Sequence, residues 1–398
     1  MIKNLEYNPA EGLVLNAFGY YEKYLKKSKT NITVEPTLRY GFSNTHLNAF
    51  VNVQLRTRDW DIDKKIKRHA WTFGGGKRVS QFNKESTYLP FTNSISTLFY
   101  GDNFMKTYEN WYATLGFSKR YESGFRFAVN ALYEDRIPLN NTTKFTVFKK
   151  DSINITPNYP TEILSSQFAP HQAFIISIDL SIKPGQRYIQ FPNRKISIGS
   201  KYPTFSFNYT KGFKTLLGSD VDFDKWRFTI NDDKNFKLAG KLSYKMSIGG
   251  FLNDKKVFIQ DYQHFNGNRS LLASEYVNSF QLAPFYANST AATFYTIAHI
   301  EHHFNGLLTN KIPLFKKLNW NLVAGSNAFY VNKSNNYVEA FVGIENILKI
   351  FRVDYVVGYT NGKTGVGSFR IGLGGIIGGG IKVNQSTSSR NRSVNISL

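Results

Sequence analysis

Residues Phe236 to Ile248 read Phe-Lys-Leu-Ala-Gly-Lys-Leu-Ser-Tyr-Lys-Met-Ser-Ile. Alternate positions are apolar or small: Phe236, Leu238, Gly240, Leu242, Tyr244, Met246 and Ile248. The positions between them are Lys237, Ala239, Lys241, Ser243, Lys245 and Ser247. A period of two sustained over this length predicts a β-strand with one greasy and one wet face. Four further stretches repeat it. Leu47, Ala49, Val51, Val53 and Leu55 alternate with Asn48, Asn52, Gln54 and Arg56. Trp111, Ala113, Leu115 and Phe117 alternate with Tyr112, Thr114 and Ser118. Phe125, Phe127, Val129, Ala131 and Tyr133 alternate with Arg126, Asn130 and Glu134. Phe174, Ile176, Ile178, Leu180 and Ile182 alternate with Ser177, Asp179, Ser181 and Lys183.

Strands of soluble proteins usually run about five or six residues, whereas a strand that crosses a bilayer needs roughly 9–11. Periodicity alone fits both a soluble sandwich, with the greasy face in a core, and an outer-membrane barrel, with that face on lipid and the polar face on the lumen. Strand length favours the barrel. So do Trp111, Phe117, Phe125, Tyr133 and Trp226, which sit near strand ends where interfacial aromatics collect. Polar turns are expected at Ser43–Thr45, Glu122–Gly124, Asn231–Asn235, Asn332–Asn336 and Asn361–Gly365, where Asn, Asp, Ser and Gly supply tight-turn conformations. Long connections are expected at Asp59–Arg68, Ile137–Pro170 and Leu252–Asn278. The reading is therefore all-β: an antiparallel transmembrane barrel of about 14–16 strands, with long loops on one side and short turns on the other. Residues 1–398 form a single barrel domain.

Composition narrows the class further. The 398 residues include 34 Phe, 24 Tyr and 5 Trp, too aromatic for a disordered chain. Cysteine is absent, which excludes thiolate catalysis and zinc–cysteine or iron–sulfur sites. No apolar run reaches the roughly 18 residues of a membrane helix; the nearest, Ile371–Ile381, is half glycine. The first residues contain no continuous apolar stretch of the kind a signal peptide requires. The net charge of +22 comes from 50 Lys and Arg against 28 Asp and Glu. These cations are dispersed singly, which fits a lumen lining and anionic lipid better than nucleic acid.

Phe73–Asn83 (FGGGKRVSQFN), Phe265–Ala273 (FNGNRSLLA), Ile300–Trp320 (IEHHFNGLLTNKIPLFKKLNW), Tyr337–Tyr359 (YVEAFVGIENILKIFRVDYVVGY) and the closing residues Phe369–Leu398 carry a family resemblance. Together they resemble the C-terminal barrel of an outer-membrane family of unknown function, from about Gly12 onward. Full-length members of that family begin with a signal peptide and a carboxypeptidase-regulatory-like β-sandwich. The resemblance implies location and architecture, and marks this chain as the barrel part of a longer protein.

Chemical motifs are weak. Gly74-Gly75-Gly76-Lys77-Arg78 lacks the spacing of a phosphate-binding loop and reads as a glycine kink in a strand. His299, Glu301 and His303 share one strand face and could hold a divalent metal, but no fourth ligand can be named, and a polar cluster lining a lumen is the simpler reading. No G-x-S-x-G or comparable signature marks an enzyme, so no catalytic, cofactor or metal residue is assigned. Asn310–Leu318 reads equally as an interfacial amphipathic helix or a plain loop. Ser386–Arg392 reads as a turn before a closing strand at Val394, Ile396 and Leu398.

The function expected is non-enzymatic: envelope transport, assembly or partner scaffolding, with outer-membrane lipid and lipopolysaccharide as partners, other envelope proteins as candidates, and no nucleic acid. An insertion or translocation barrel resembling the surface-antigen assembly family is the alternative, and a soluble all-β lipid- or glycan-binding protein stands behind it.

Overall fold

The computed structural model describes residues 4–58, 68–148, 154–163, 166–191, 194–306, 309–361 and 365–373. Its strands are β1 (Leu5–Asn8), β2 (Gly12–Phe18), β3 (Tyr21–Leu25), β4 (Thr30–Gly41), β5 (Leu47–Arg58) and β6 (Arg68–Gln81). After helix α1 (Pro90–Tyr100) come β7 (Thr107–Arg120), β8 (Phe125–Pro138), β9 (His171–Ile182), β10 (Arg187–Phe191), β11 (Arg194–Gly199) and β12 (Thr204–Gly212). Then follow β13 (Asp222–Asn235), β14 (Lys241–Lys256), β15 (Tyr295–Phe304), the short helix α2 (Pro313–Leu318), β16 (Asn321–Asn332), β17 (Asn335–Ile347), β18 (Phe351–Thr360) and β19 (Gly367–Leu373).

One 17-stranded sheet holds all of these except the β10–β11 hairpin. Neighbours are antiparallel and consecutive from β4 to β9, β9 pairs directly with β12, and the meander continues to β19. β2 and β3 both pair with β4 and share one place in the wall. Pro36 causes the break between them: it has no N–H to donate, and the ladder skips from Phe18↔Thr37 to Tyr21↔Val34. Gly19 fits there because a Cβ would meet the proline ring at 2.7 Å. With β1 a short edge piece, about fifteen strands make the wall, inside the expected range. The ring is not closed among the described residues, and the closing strand expected at Val394–Leu398 lies outside them.

The expected faces hold. On β14, Met246 and Ile248 are exposed outward, while Ser243 and Ser247 are buried inward. On β5, Leu47 and Val51 face out and Asn48 is fully buried. On β8, Glu134 and Arg136 are both fully buried inside. The ends of one strand differ from expectation. Alternation reaches back to Phe236, but residues 236–240 form a turn around a 3₁₀ segment, Lys237–Ala239, and the residues expected as a turn, Asn231–Asn235, finish β13. A pattern of alternate apolar residues cannot distinguish the last rungs of a strand from a turn with protruding apolar side chains. Phe236 and Leu238 are such side chains, both exposed.

Antiparallel parity sorts the connections into two ends. Residues 82–106, 139–170 and 257–294, the three longest, all emerge at one end, here the loop end. The opposite, turn end carries the short turns 26–29, 121–124, 236–240 and 348–350, together with the β10–β11 hairpin and α2. Tight turns at 42–46 and 333–334 share the loop end, so the division concerns the longest loops rather than every turn. At 333–334, the Asn332 side-chain oxygen accepts hydrogen bonds from the Ser334 and Asn335 N–H groups at 2.9 Å, which closes the hairpin.

Outward and inward positions should differ sharply in tolerance. Ile248→Arg, near the middle of β14, should cost about 2–4 kcal/mol in lipid. Lys241→Ser should be nearly silent, because the Lys241–Asp233 pair at 3.2 Å is half-exposed. Urea unfolding in lipid vesicles checks this, and equal tolerance at both positions would argue against a lipid-facing side.

Candidate functional site: a lumen occupied by the chain itself

The inward side chains do not enclose open water at the loop end. Segments 82–106 and 257–294 fold in and meet them. Arg136 on β8 donates from both terminal nitrogens to the Asp261 carboxylate, at 2.6 and 2.8 Å, and from Nε to Glu134 at 3.0 Å. Glu134 also accepts from Lys84 (2.9 Å), Arg78 (3.1 Å) and Asn110 (3.0 Å). Arg227 on β13 holds Glu85 through two bonds, 2.7 and 2.5 Å. Lys225 donates to the Asp261 carbonyl and Lys245 to the Asn278 side chain. Loop and wall thus share ion pairs with bidentate, fork-like geometry.

The far wall grips the later part of the same segment. Glu339 accepts the Gln281 and Leu282 N–H groups at 2.7 and 3.1 Å, and Arg370 donates to the Gln281 carbonyl at 2.9 Å. The Tyr276 hydroxyl donates to Asp354 at 2.7 Å. Phe265 stacks on Phe329 with ring centres 4.1 Å apart, and Phe280 packs on Phe329 and Tyr337. A second apolar cluster, Ala173, Ile175, Val221, Phe223 and Phe251, seals the opposite flank. On the turn-end side of the Arg136–Asp261 pair lies a cavity of about 160 Å³ with mixed lining, bordered by Glu85, Asp179, Lys225 and His264 and by Leu132, Phe223 and Tyr295.

Several loop groups have shifted protonation, Glu85 and His264 among them. Burial alone would raise the Glu85 carboxyl, but Arg227 and the nearby lysines outweigh it and pull its pKa down to about 2. Burial, with Lys225 close by, lowers His264 to about 4, so its ring is neutral at pH 7. The ring contacts the Ser289 hydroxyl through Nδ1 at 2.8 Å and packs against Tyr286.

The residues singled out in the sequence fall as follows. Glu301 and His303 do come together, at 3.5 Å, but Arg352 takes the other Glu301 oxygen at 2.5 Å, and His303 turns Nδ1 to Glu345 at 2.9 Å. His299 is buried against Phe280 and bonds Asn327 at 2.9 Å. Among the described residues no cluster has a metal-binding arrangement. Gly74–Gly76 lie within β6, and at Gly76 (φ +129°) a Cβ would meet the Ala49 carbonyl at 2.3 Å. Residues 313–318 take the helical option, with Pro313 in the first turn and Asn319 left-handed at the C-terminus.

Residues 1–344 match the model of a family of unknown function, DUF5686, C-terminal domain. The chain belongs to this family. The match ends within β17, so the DUF5686 assignment rests on the wall up to that strand and on both lumen segments. No curated protein matches. Among solved structures, the chain is similar to BamA from Haemophilus ducreyi lacking POTRA domains 1–3, at 9% identity and a TM-score of 0.48, covering 92% of this chain and 68% of that one. It is also similar to CdiB from Acinetobacter baumannii, at 11% identity and 0.39, over 92% and 58% of the two chains. A porin mutant from Rh. blastica shares 10% identity at 0.36, over 92% and 95%.

Alternation alone does not single out Arg136, Asp261 or Arg227. The available signal is two opposite charges, Glu134 and Arg136, at adjacent inward positions near the loop-end terminus of β8, which require partners in the lumen. Helix α1 is also marked: Pro90 starts it and a left-handed Gly101 ends it.

Removing one partner of a buried pair leaves an uncompensated charge. Arg136→Met should therefore destabilise the lumen segment by about 3–5 kcal/mol. In the double variant with Asp261→Leu the loss should be smaller than the two single losses summed, as a double-mutant cycle by urea unfolding would show. Additive losses would mean the pair is not coupled.

Acid should loosen the segment in two stages. His264 binds a proton more readily unfolded than folded, so stability falls as pH drops from about 6.5 toward about 4. Glu85 contributes stability that is complete above about 4.5 and lost as pH falls toward about 2. Protection of residues 259–290 from hydrogen exchange, taken relative to the intrinsic rate at each pH, should fall below pH 6.5, and His264→Gln should abolish the upper stage only.

Proposed function

We propose that this chain is an outer-membrane β-barrel with a non-enzymatic envelope role, in transport, assembly or partner scaffolding, and that its lumen is closed at rest. The observation that carries the reading is the fastening of segments 82–106 and 257–294 to inward charges of the wall, above all Arg136–Asp261 and Arg227–Glu85. A barrel built as a permanent diffusion pore has no use for such a lock, whereas a gated passage or a rigid partner platform does. The outward apolar face supports placement in the membrane, with lipid and lipopolysaccharide around the wall and other envelope proteins as partners. In this reading the turn at 121–124 faces the periplasm and residues 139–170 face out, following the habit of long external loops. The chain is then the barrel part of a longer protein with a leader and an N-terminal carboxypeptidase-regulatory-like sandwich.

A second reading, a barrel that inserts or translocates other proteins, draws on one feature. At the seam, β1 lies along β2, and Ile371 of β19 exchanges hydrogen bonds with Leu271 and Ala273 of the lumen segment (2.9 and 2.8 Å). A wall whose edge is held by a loop can part there more easily than one closed by a full ladder.

In planar bilayers the wild-type chain should show little conductance, and a variant carrying both Arg136→Met and Arg227→Met should open well-defined channels. Large steady conductance from the wild type would refute the closed lumen. Depletion in cells decides between the readings: loss of unrelated barrels from the outer membrane favours insertion, and an unchanged set favours the first. A chain that is monomeric and stable in detergent-free buffer would exclude both.

A further inference from the structure

The charge of the molecule is divided unequally between its two ends. The described residues of the connections at the turn end (26–29, 121–124, 183–203, 236–240, 305–320 and 348–350) hold 13 Lys and Arg against 1 Asp or Glu. At the loop end, the described residues of 9–11, 42–46, 82–106, 139–170, 213–221, 257–294, 333–334 and 361–366 hold 6 against 7. The excess positive charge of these connections therefore lies wholly at one end. It is also distributed around the wall, from Lys26 and Lys27 beside β3 to Lys349 beside β18, rather than gathered in one patch.

The turn end has a second feature. Exposed apolar side chains are interleaved with these cations: Tyr24 beside Lys26, Leu238 beside Lys237, Leu314 and Leu318 around Lys316 and Lys317, and Leu348 beside Lys349. Lys26, Lys27, Lys237, Lys316, Lys317 and Lys349 are exposed, and none has a carboxylate partner among the described residues. The strand-end lysines just above them are paired instead, Lys183 with Asp232 at 3.2 Å and Lys241 with Asp233 at 3.2 Å. Unpaired cations beside protruding apolar groups, repeated around a circumference, match a lipid leaflet: the apolar groups enter the acyl boundary and the ammonium groups reach phosphates. A single protein partner would need one contiguous patch, and nucleic acid would leave the apolar groups in water.

We infer that the turn end is a basic anchoring rim that binds the phosphates of anionic glycerophospholipids in the leaflet around it. The inference rests on the membrane reading above and, in choosing phospholipid as the source, on the periplasmic placement of residues 121–124. Near a membrane surface each such lysine interacts appreciably with anionic lipid, and the effect is screened by salt.

The test uses the full chain folded into vesicles of phosphatidylcholine alone or with phosphatidylglycerol. Phosphatidylglycerol should raise the urea midpoint at low salt and lose this effect at high salt. Changing Lys26, Lys27, Lys237, Lys316, Lys317 and Lys349 together to Gln should leave the midpoint in phosphatidylcholine unchanged and abolish the response to phosphatidylglycerol. Changing Lys144, Lys214 and Lys333 at the loop end should leave that response intact. No response in the wild type, or loss of the response on changing the loop-end set, overturns the inference. Ser123→Cys tests placement separately: no labelling by an impermeant reagent on intact cells supports the phospholipid source. Labelling overturns that source, and with the lysine dependence intact it transfers the phosphate contact to lipopolysaccharide.

Discussion

A strand that crosses a bilayer turns every second side chain away from lipid, and those side chains must find partners inside the ring. In this chain the inward set is not the mild Ser, Thr and Asn lining of a water-filled tube. It includes Glu134, Arg136, Glu301, Glu339, Arg352 and Asp354, all buried. Ions so placed are costly to desolvate unless they are matched and hydrogen-bonded. The wall supplies some partners itself, as in Arg352 with Asp354 at 2.8 Å. The rest come from segments that leave the wall, and Arg136 is the clearest case, with its outer nitrogens committed to Asp261. Entry of segment 257–294 into the lumen is thus a requirement of the wall's own charge pattern.

The ionic pairs and the apolar contacts hold the segment in different ways. Apolar packing from Phe265, Phe280 and Phe329 provides non-directional attraction. The bidentate contacts fix where the segment sits, since an Arg–carboxylate fork tolerates little displacement. Both kinds of contact meet in one segment, so loosening the ionic part leaves an apolar part that still restrains it.

The wall was legible in the sequence because its signal is local. A period of two marks each strand, and the outward positions of β5, β7, β8, β9 and β14 were readable from that period alone. The limits of β14 were not, because Phe236 and Leu238 continue the apolar beat through a turn. Nor did the occupied lumen announce itself. Arg136 and Asp261 stand 125 residues apart, and no periodicity links a strand residue to a loop residue at that distance. The His299–Glu301–His303 face was visible, but Arg352, which engages Glu301, lies 51 residues further on. Non-local polar pairing leaves no mark in a one-dimensional pattern beyond the bare presence of a charge where alternation says it must be enclosed.

The lumen segment also bears on how the wall can be assembled. Its first part binds elements that precede it in the chain, β8 through Asp261 and residues 83–85 through Asn266, while Phe265 between them stacks on Phe329 of the later β16. Its second part, from Tyr276 to Leu282, binds β17, β18 and β19, which follow it, and keeps one contact to the earlier β14 through Asn278 and Lys245. The segment can therefore dock on the early half of the wall before the late half exists, and present Tyr276, Gln281 and Leu282 as a surface against which the later strands register. Closing so long a loop early carries an entropic cost that grows only slowly with length. The last five strands would then assemble around an internal template, so that the piece blocking the finished lumen is also the mould on which its final third is cast.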